Sequence, residues 1–318
     1  MTLSLVPFPV DLVTSLALAE DALKTRLAPG EKLEELLPSV SSGIRTGRTT
    51  GGLLRAEGVA RGIVTWESAG PLGVAVRLLY LAPPNADREG YRSALELTER
   101  AGGPIAFAPG PLAGLSAAEE SEFMRARGFA PYGRSEMVFP SSAPMPASLS
   151  LPDVAVRPVR PDDEPRLARL HERAYWDHLD RYLAVEELDP VRDADRQVHD
   201  YFTGRYGEVL SPGSSVATER GRLVAAAIAT RYSGRALIVD VMTEPDRQGA
   251  GLGRLVLADT VGALRARRED SIVLNVTEGN DRAIRLYSHL GFVRTMGPTH
   301  EWYDARRIRV AFPNDGSR

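Results

Sequence analysis

Three glycines spaced two apart, Gly249, Gly251 and Gly253, lie in the run Val239-Asp-Val-Met-Thr-Glu-Pro-Asp-Arg-Gln-Gly-Ala-Gly-Leu-Gly-Arg254, where an apolar strand pattern passes through a turn straight into a helical one. Glycine adopts positive φ readily and lets other groups approach the backbone, so successive N–H groups in such a turn can converge on one concavity at a helix N-terminus. That concavity suits phosphate, and the helix start adds a partial charge of about +0.5. A Walker A loop is excluded because no lysine lies near. A dinucleotide fingerprint is excluded by the glycine spacing and by the antiparallel meander expected before the loop.

Downstream, Asn280 and Tyr287 stand seven residues apart, two helical turns along one face, so both can border one channel. Asp240, Glu278 and His178 are the nearby groups able to move a proton. Asp240 lies on the strand leading to the loop, where alternation leaves its face open; Glu278 serves equally well as an acid at a helix start. The five histidines (171, 178, 199, 289 and 300) form no H-E-x-x-H pair, and the chain has no cysteine. Thiol and redox chemistry on the protein side is therefore excluded, and no catalytic metal is expected.

Gln248-Gly-Ala-Gly251-Leu-Gly253, preceded by Pro245, matches an [R/Q]-x-x-G-x-[G/A] loop, and Asn280-Asp-Arg-Ala283-Ile-Arg-Leu286-Tyr287-Ser-His-Leu-Gly291-Phe292 matches N-x-x-A-x-x-L-Y-x-x-x-G-F. With this pair in order, the stretch from about 154 to 305 resembles the GNAT superfamily of N-acetyltransferases. The resemblance implies acetyl-CoA as co-substrate and acetyl transfer to a primary amine by direct attack through a tetrahedral intermediate, without a metal. It assigns Gln248, Gly249, Ala250, Gly251, Leu252 and Gly253 to the pyrophosphate, with Arg254 the best placed arginine to join them; Arg265, Arg267 and Arg268 read as a solvated helix face. It gives the backbone of Val241, Met242 and Thr243 the alignment of pantetheine and acetyl carbonyl, and places Asn280 and Ala283 along the pantetheine arm. Tyr287 becomes the general acid for the thiolate. Some relatives carry a glutamate where this chain has Asn275, which leaves Asp240, Glu278 and His178 as candidate bases, with Asp240 preferred; a water chain or an amine that arrives deprotonated needs none. The acceptor pocket is expected from Tyr175-Trp-Asp-His-Leu-Asp-Arg-Tyr182 onward and from a final hairpin carrying His300 and Trp302, taking a small amine or a peptide.

These residues need elements to hold them. After a charge-free, proline- and serine-rich run, Pro140–Pro152, the pattern reads strand (Val154–Val159), helix (to about Ala174), a polar aromatic-rich stretch to about Leu210, and three strands (Val216–Glu219, Leu223–Arg231, Arg235–Thr243). A helix from Gly251 to Arg268, a strand Ser271–Val276 and a helix Asn280–Leu290 follow, then strand-like segments at Phe292–Thr295 and His300–Tyr303. The first half gives a fainter copy of this order, with Phe123-Met-Arg-Ala-Arg-Gly-Phe129 echoing Leu286-Tyr-Ser-His-Leu-Gly-Phe292. The expectation is an α/β chain of two tandem GNAT-like domains, each a mixed, mostly antiparallel sheet flanked by helices: a degenerate domain at 1–140, a linker at 141–152 and a catalytic domain at 153–318. In the first copy, Asp87 and Glu89 stand where phosphate should sit and Met124 where Tyr287 stands, so one catalytic site is expected.

The 318 residues carry a net charge of -3, against binding nucleic acid by bulk electrostatics. No run approaches a membrane helix and the start lacks a basic signal region, so the chain reads as cytoplasmic. Thirty-seven of 39 basic residues are arginine, which suggests a GC-rich, bacterial genome. Two other readings stand beside general amine acetylation. A worn first copy also resembles the tandem members of the family that acetylate a cysteinyl pseudodisaccharide, and a non-enzymatic acetyl-CoA sensor would need only the loop.

Overall fold

The computed structural model describes residues 2–27, 33–46, 49–147, 149–176, 178, 180, 190–232, 234–295 and 300–306. From the N-terminus the chain forms β1 (Leu3–Pro7), α1 (Leu12–Arg26), α2 (Leu33–Arg45), β2 (Thr50–Ala56), β3 (Val59–Ser68), β4 (Val74–Leu81), α3 (Arg88–Gly102), β5 (Ile105–Pro109), α4 (Ala117–Ala126), β6 (Phe129–Tyr132) and β7 (Arg134–Phe139). It continues through β8 (Val154–Pro158), α5 (Glu164–Ala174), α6 (Pro190–Phe202), β9 (Glu208–Val209), β10 (Ser215–Glu219), β11 (Arg222–Tyr232), β12 (Arg235–Thr243), α7 (Leu252–Ala266), β13 (Ile272–Thr277), α8 (Asp281–Leu290), β14 (Val293–Arg294) and β15 (Glu301–Asp304). Among the described residues no helix is long and apolar enough to cross a membrane.

Two compact units result: Met1–Gly133 with Met296–Arg318, and Arg134–Thr295. The first holds a sheet of order β1-β2-β3-β4-β5-β15-β6, the second a sheet of order β8-β10-β11-β12-β13-β7-β14 with β9 on β11. Each is antiparallel apart from one parallel pair, β4 with β5 and β12 with β13. The two orders correspond strand for strand, with β15 holding in the first sheet the place β7 holds in the second. This division differs from the one expected at 1–140, 141–152 and 153–318. Local pattern identifies 134–139 and 301–304 as strands, but pairing decides their sheet: β7 runs beside β13 from Ile272↔Phe139 to Thr277↔Arg134, and β15 lies between β5 and β6.

Strand alternation builds a core on each face of each sheet. In the first unit, Ile63 and Leu78 pack with Leu18 and Ile44 from α1 and α2, while their neighbours Val64 and Leu79 pack with Tyr91, Leu95 and Phe123 from α3 and α4. In the second, Ile238 and Leu274 pack with Leu257, Val261 and Tyr287 from α7 and α8, whereas Ala226 and Ile228 pack with Leu167, Leu170 and Val198 from α5 and α6. Helix α6 lies within the stretch read only as polar and aromatic-rich. Its buried apolar face is sparse, Ala194, Val198 and Tyr201, and charged residues such as Arg192, Asp193, Asp195, Arg196 and Asp200 are interspersed along the helix.

Candidate active site

Strand β12 pairs with β13 only from Ala236↔Ile272 to Ile238↔Leu274. Beyond that point β12 continues along β11 to Thr243, β13 continues along β7 to Thr277, and the two diverge. A cavity of about 810 Å³ occupies the gap, near the upper end for small-molecule sites. It is lined from both faces of the sheet, by Gly253, Leu286 and Tyr287 on α7 and α8 and by His171, Tyr201 and Tyr175 on or just after α5 and α6. A bulge adjoins the divergence: Ala229 pairs with Ile238 and Ile228 with Asp240, so Val239 is an extra residue on β12. One added residue reverses which side chains face which layer. Ile238 therefore packs toward α7 and α8, while Asp240 bonds side chains of the α5 and α6 layer and Met242 packs there.

The glycine loop forms one end. Gly249 and Gly251 have φ of +85° and +84°, and a Cβ at either would meet open space. Gly251 is the N-cap of α7 and supplies no side-chain cap, so the first N–H groups of the helix are left for an outside acceptor. At Gly253 a Cβ would stand 3.3 Å from Thr243 Oγ1 and 3.5 Å from Leu286 Cδ2, so any larger residue narrows the gap. Gln248, Gly249, Gly251, Leu252, Gly253 and Arg254 line the cavity, as do Val241, Thr243, Asn280 and Ala283. Arg282 also lines it and donates to Gln248 Oε1, tying α8 to the loop. Asn280 caps α8, its Oδ1 accepting from Ala283 N at 3.1 Å while its Nδ2 meets His178 Nε2 at 3.1 Å. Met242 and Ala250 are absent from the lining: the Met242 side chain is buried in the α5 and α6 core, leaving only its backbone toward β11 and the gap, and Ala250 is exposed.

Ionisable groups gather at the other end. Asp240, 4% exposed, accepts from Tyr175 Oη at 2.5 Å on Oδ1 and from Tyr201 Oη at 2.9 Å on Oδ2. His171 Nε2 lies 3.8 Å from Oδ2 and its ring stacks on Tyr175 with centroids 4.6 Å apart. Burial pushes the Asp240 carboxyl above its ordinary value, against the opposing pull of His171, the two hydroxyls and Val241 N–H. Burial also raises the Tyr287 hydroxyl, and the charges of Asp240 and Asp180 reinforce the shift, so it stays protonated at neutral pH. Tyr201, Gln197 and Tyr206 reach the cavity from α6 and the turn after it and had no role in the sequence reading. The legible signal was the 194, 198, 201 spacing of α6.

Other expected residues lie elsewhere. Glu278 accepts from Ser135 Oγ and pairs with Arg294 at 2.9 Å, and it is absent from the cavity lining. Arg265 donates to main-chain carbonyls of Phe139, Pro140 and Glu269 at the far end of α7, so it serves the fold rather than solvent, and Arg267 lies 3.9 Å from Glu269. His300 and Trp302 do not line the acceptor end. They belong to the first unit, where Trp302 Nε1 donates to Glu120 at 2.7 Å, because β15 pairs there. Of the expected acceptor segment, Asp177, Leu179, Arg181 and Tyr182 lie outside the described residues; Tyr175, His178 and Asp180 line the cavity.

The corresponding place in the first unit is chemically different. Helix α3 is capped by Asp87, whose carboxylate accepts from Gly90 N at 2.7 Å, so an internal anion already satisfies the helix start. Met124, at the position echoing Tyr287, is fully buried in the core.

Residues 172–292 match the model of the Acetyltransferase (GNAT) family. The chain is 31% identical over 260 residues to a mycothiol acetyltransferase of Thermomonospora curvata, covering 79% of this chain and 81% of that protein. The fold is similar to a GCN5-related N-acetyltransferase from Sphaerobacter thermophilus (TM-score 0.59, 15% identity, covering 94% of this chain and 95% of that one). It is also similar to a tandem GNAT protein from the clavulanic acid biosynthesis pathway (TM-score 0.54, 16% identity, covering 94% and 97%). A glycine loop, a divergent parallel strand pair and two corresponding sheets thus coincide with a relative matched along most of its length, and the chain belongs to the GNAT acetyltransferase family, in its tandem form.

Proposed function

We propose that the second unit transfers acetyl from acetyl-CoA to a primary amine by direct attack, with Tyr287 as general acid and Asp240 as general base. One observation carries the reading: a single cavity through the gap between β12 and β13 joins the uncapped start of α7 to the buried Asp240 cluster, with Tyr287 on its wall. The loop fits a pyrophosphate, because its two left-handed glycines leave open space where side chains would stand and the helix start lacks an internal cap. The loop N–H groups of residues 249–254 and Arg254 hold the phosphates. The edge of β12 released from β13 offers the backbone of Val241, Met242 and Thr243 to the pantetheine arm, and Asn280 and Ala283 border it. When bound, the thioester supplies the activated acetyl group. Asp240 takes one proton of the incoming ammonium, its raised pKa bringing it nearer to neutral pH as a base requires. As the intermediate collapses Tyr287 donates to the departing thiolate, and the second proton lost by the acylated nitrogen restores the phenol. No metal enters this scheme.

A second reading specifies the acceptor as a cysteinyl pseudodisaccharide. It is favoured by the 31% identity to a protein named mycothiol acetyltransferase. Release of free coenzyme A, followed with a panel of amines, peptides and a cysteinyl pseudodisaccharide, separates the readings. Tyr287→Phe is expected to lower kcat about tenfold or more while acetyl-CoA affinity stays within about threefold, and Asp240→Asn to lower kcat/KM about 100-fold. Wild-type turnover in the first variant removes the acid role, and in the second the base role. Binding of acetyl-CoA with no turnover across the whole panel would reduce the site to a sensor.

A further inference from the structure

We propose that Tyr175 and Tyr201 are positioning residues whose hydroxyl groups hold Asp240 as a carboxylate at the acceptor end of the gap, leaving its charge free for an incoming ammonium group. The inference rests on the reading of Asp240 as base.

The second unit buries six acidic side chains among its described residues: Glu136, Asp163, Asp193, Asp240, Glu244 and Glu269. Five are neutralised by arginine. Glu136 pairs with Arg235, Asp163 with Arg157 and Arg166, Asp193 with Arg196, Glu244 with Arg173 and Arg222, and Glu269 with Arg231. Asp240 differs: among the described residues no arginine pairs with it, and its donors are Val241 N–H and one tyrosine hydroxyl on each oxygen, Tyr175 just after α5 and Tyr201 on α6. Its one ionisable cationic neighbour among them is a titratable histidine, His171 at 3.8 Å, rather than a permanently charged guanidinium. Buried carboxylates that only support a fold are stabilised by a permanent counter-charge. A guanidinium there would also satisfy the negative charge and repel an ammonium ion. Neutral hydroxyls stabilise the anion by hydrogen bonding and leave its net charge unspent.

Both rings are themselves fixed. Tyr201 is 3% exposed, packs 5.6 Å from Tyr206 and takes a 3.5 Å hydrogen bond from Gln197 Nε2, which donates to Tyr206 at 3.1 Å. Tyr175 packs on the His171 ring at 4.6 Å and meets the His178 ring edge-on at 6.0 Å. The ionisable groups facing Asp240 are thus His171 and Tyr175 from the α5 side and Tyr201 from α6, with Tyr287 on α8 sensing its charge. Burial works against the charged form here, and the hydroxyls oppose it.

The test titrates the full-length protein, labelled with [13C]aspartate, by carboxyl NMR. Asp240→Asn identifies the Asp240 resonance by its loss. Tyr175→Phe and Tyr201→Phe each keep the ring and remove one donor, so each should move the Asp240 midpoint upward by about one to two pH units, since the ionised form loses a charge-assisted hydrogen bond. A role in packing alone leaves the midpoint where it was. An unchanged midpoint in the folded variants overturns the proposal; each tyrosine serves a different oxygen, so either variant alone decides it. Undiminished turnover of Asp240→Asn would instead overturn the base assignment, and the titration still reads the hydrogen bonds independently.

Discussion

Glu120 in the first unit and Asp240 in the second are carboxylates of nearly equal burial, 2% and 4% exposed, pushed in opposite directions. Burial alone would raise Glu120, but His300 at 3.4 Å, Trp302 Nε1 at 2.7 Å and Leu112 N at 3.0 Å outweigh it and hold the carboxyl below its ordinary value. Its hydrogen bond raises His300 in turn. The lowered acid contributes stability above its unfolded pKa, lost as pH falls through the folded value. The raised histidine contributes below its unfolded pKa, near 6.5, and that part is lost as pH rises through the folded value. The pair therefore steadies the first unit most between the ordinary carboxylate range and about pH 6.5. Asp240 has the reverse sign: a carboxyl raised by folding costs stability above its unfolded pKa. Glu120→Gln is expected to lose about 2 kcal/mol in denaturant unfolding at pH 6. Asp240→Asn should lose no stability at pH 8 while losing activity, as expected where a site keeps a charge for function. Equal destabilisation by the two substitutions would contradict this contrast.

At the scale of elements, the two helix starts explain why one unit has the chemistry. Asp87 caps α3 with its own carboxylate, whereas Gly251 leaves α7 open. Placing a carboxylate at the second start should convert it into the first. Asp11 shows that this chain accommodates an aspartate cap in the left-handed region, at φ 35°, accepting from Thr14 N at 3.2 Å. Gly251→Asp is therefore expected to stay folded and to lose acetyl-CoA affinity by about tenfold or more in calorimetry, since repulsion and loss of free N–H groups act together. Undiminished affinity would remove the helix start from the site. This loop was legible in the sequence because left-handed turns select glycine. Helix α6 was not, since its face of Ala194, Val198 and Tyr201 presents little apolar area among ion-paired neighbours such as Asp193 and Arg196. The facing of Asp240 was equally hidden, because the bulge at Val239 arises from pairing with β11 rather than from any local pattern in β12.

For the whole molecule, the order of elements was readable and the ownership of two strands was not. A slot in a sheet is filled equally well by a strand from either half of the chain, because the ladder hydrogen bonds do not depend on where the strand comes from. Here the strand after β6 joins the second sheet and the strand after β14 joins the first, so each sheet contains one strand from the other half of the sequence. A cut at the proline-rich run would therefore be misplaced. The piece 153–318 lacks β7, which pairs with β13 through six residues, pairs with β14, and contributes buried Met137 and Phe139 to the core beneath Tyr287. Its loss bares the edge of β13 and part of that core, a recipe for aggregation. The piece 134–295 retains every strand of the second sheet and the whole cavity lining. Expressed separately, 134–295 is expected to unfold cooperatively and to bind acetyl-CoA with an affinity within about tenfold of the full chain, whereas 153–318 is expected to be insoluble or to bind none. Full-affinity binding by 153–318 would show that β7 is dispensable and that the exchanged strand leaves the site unaffected.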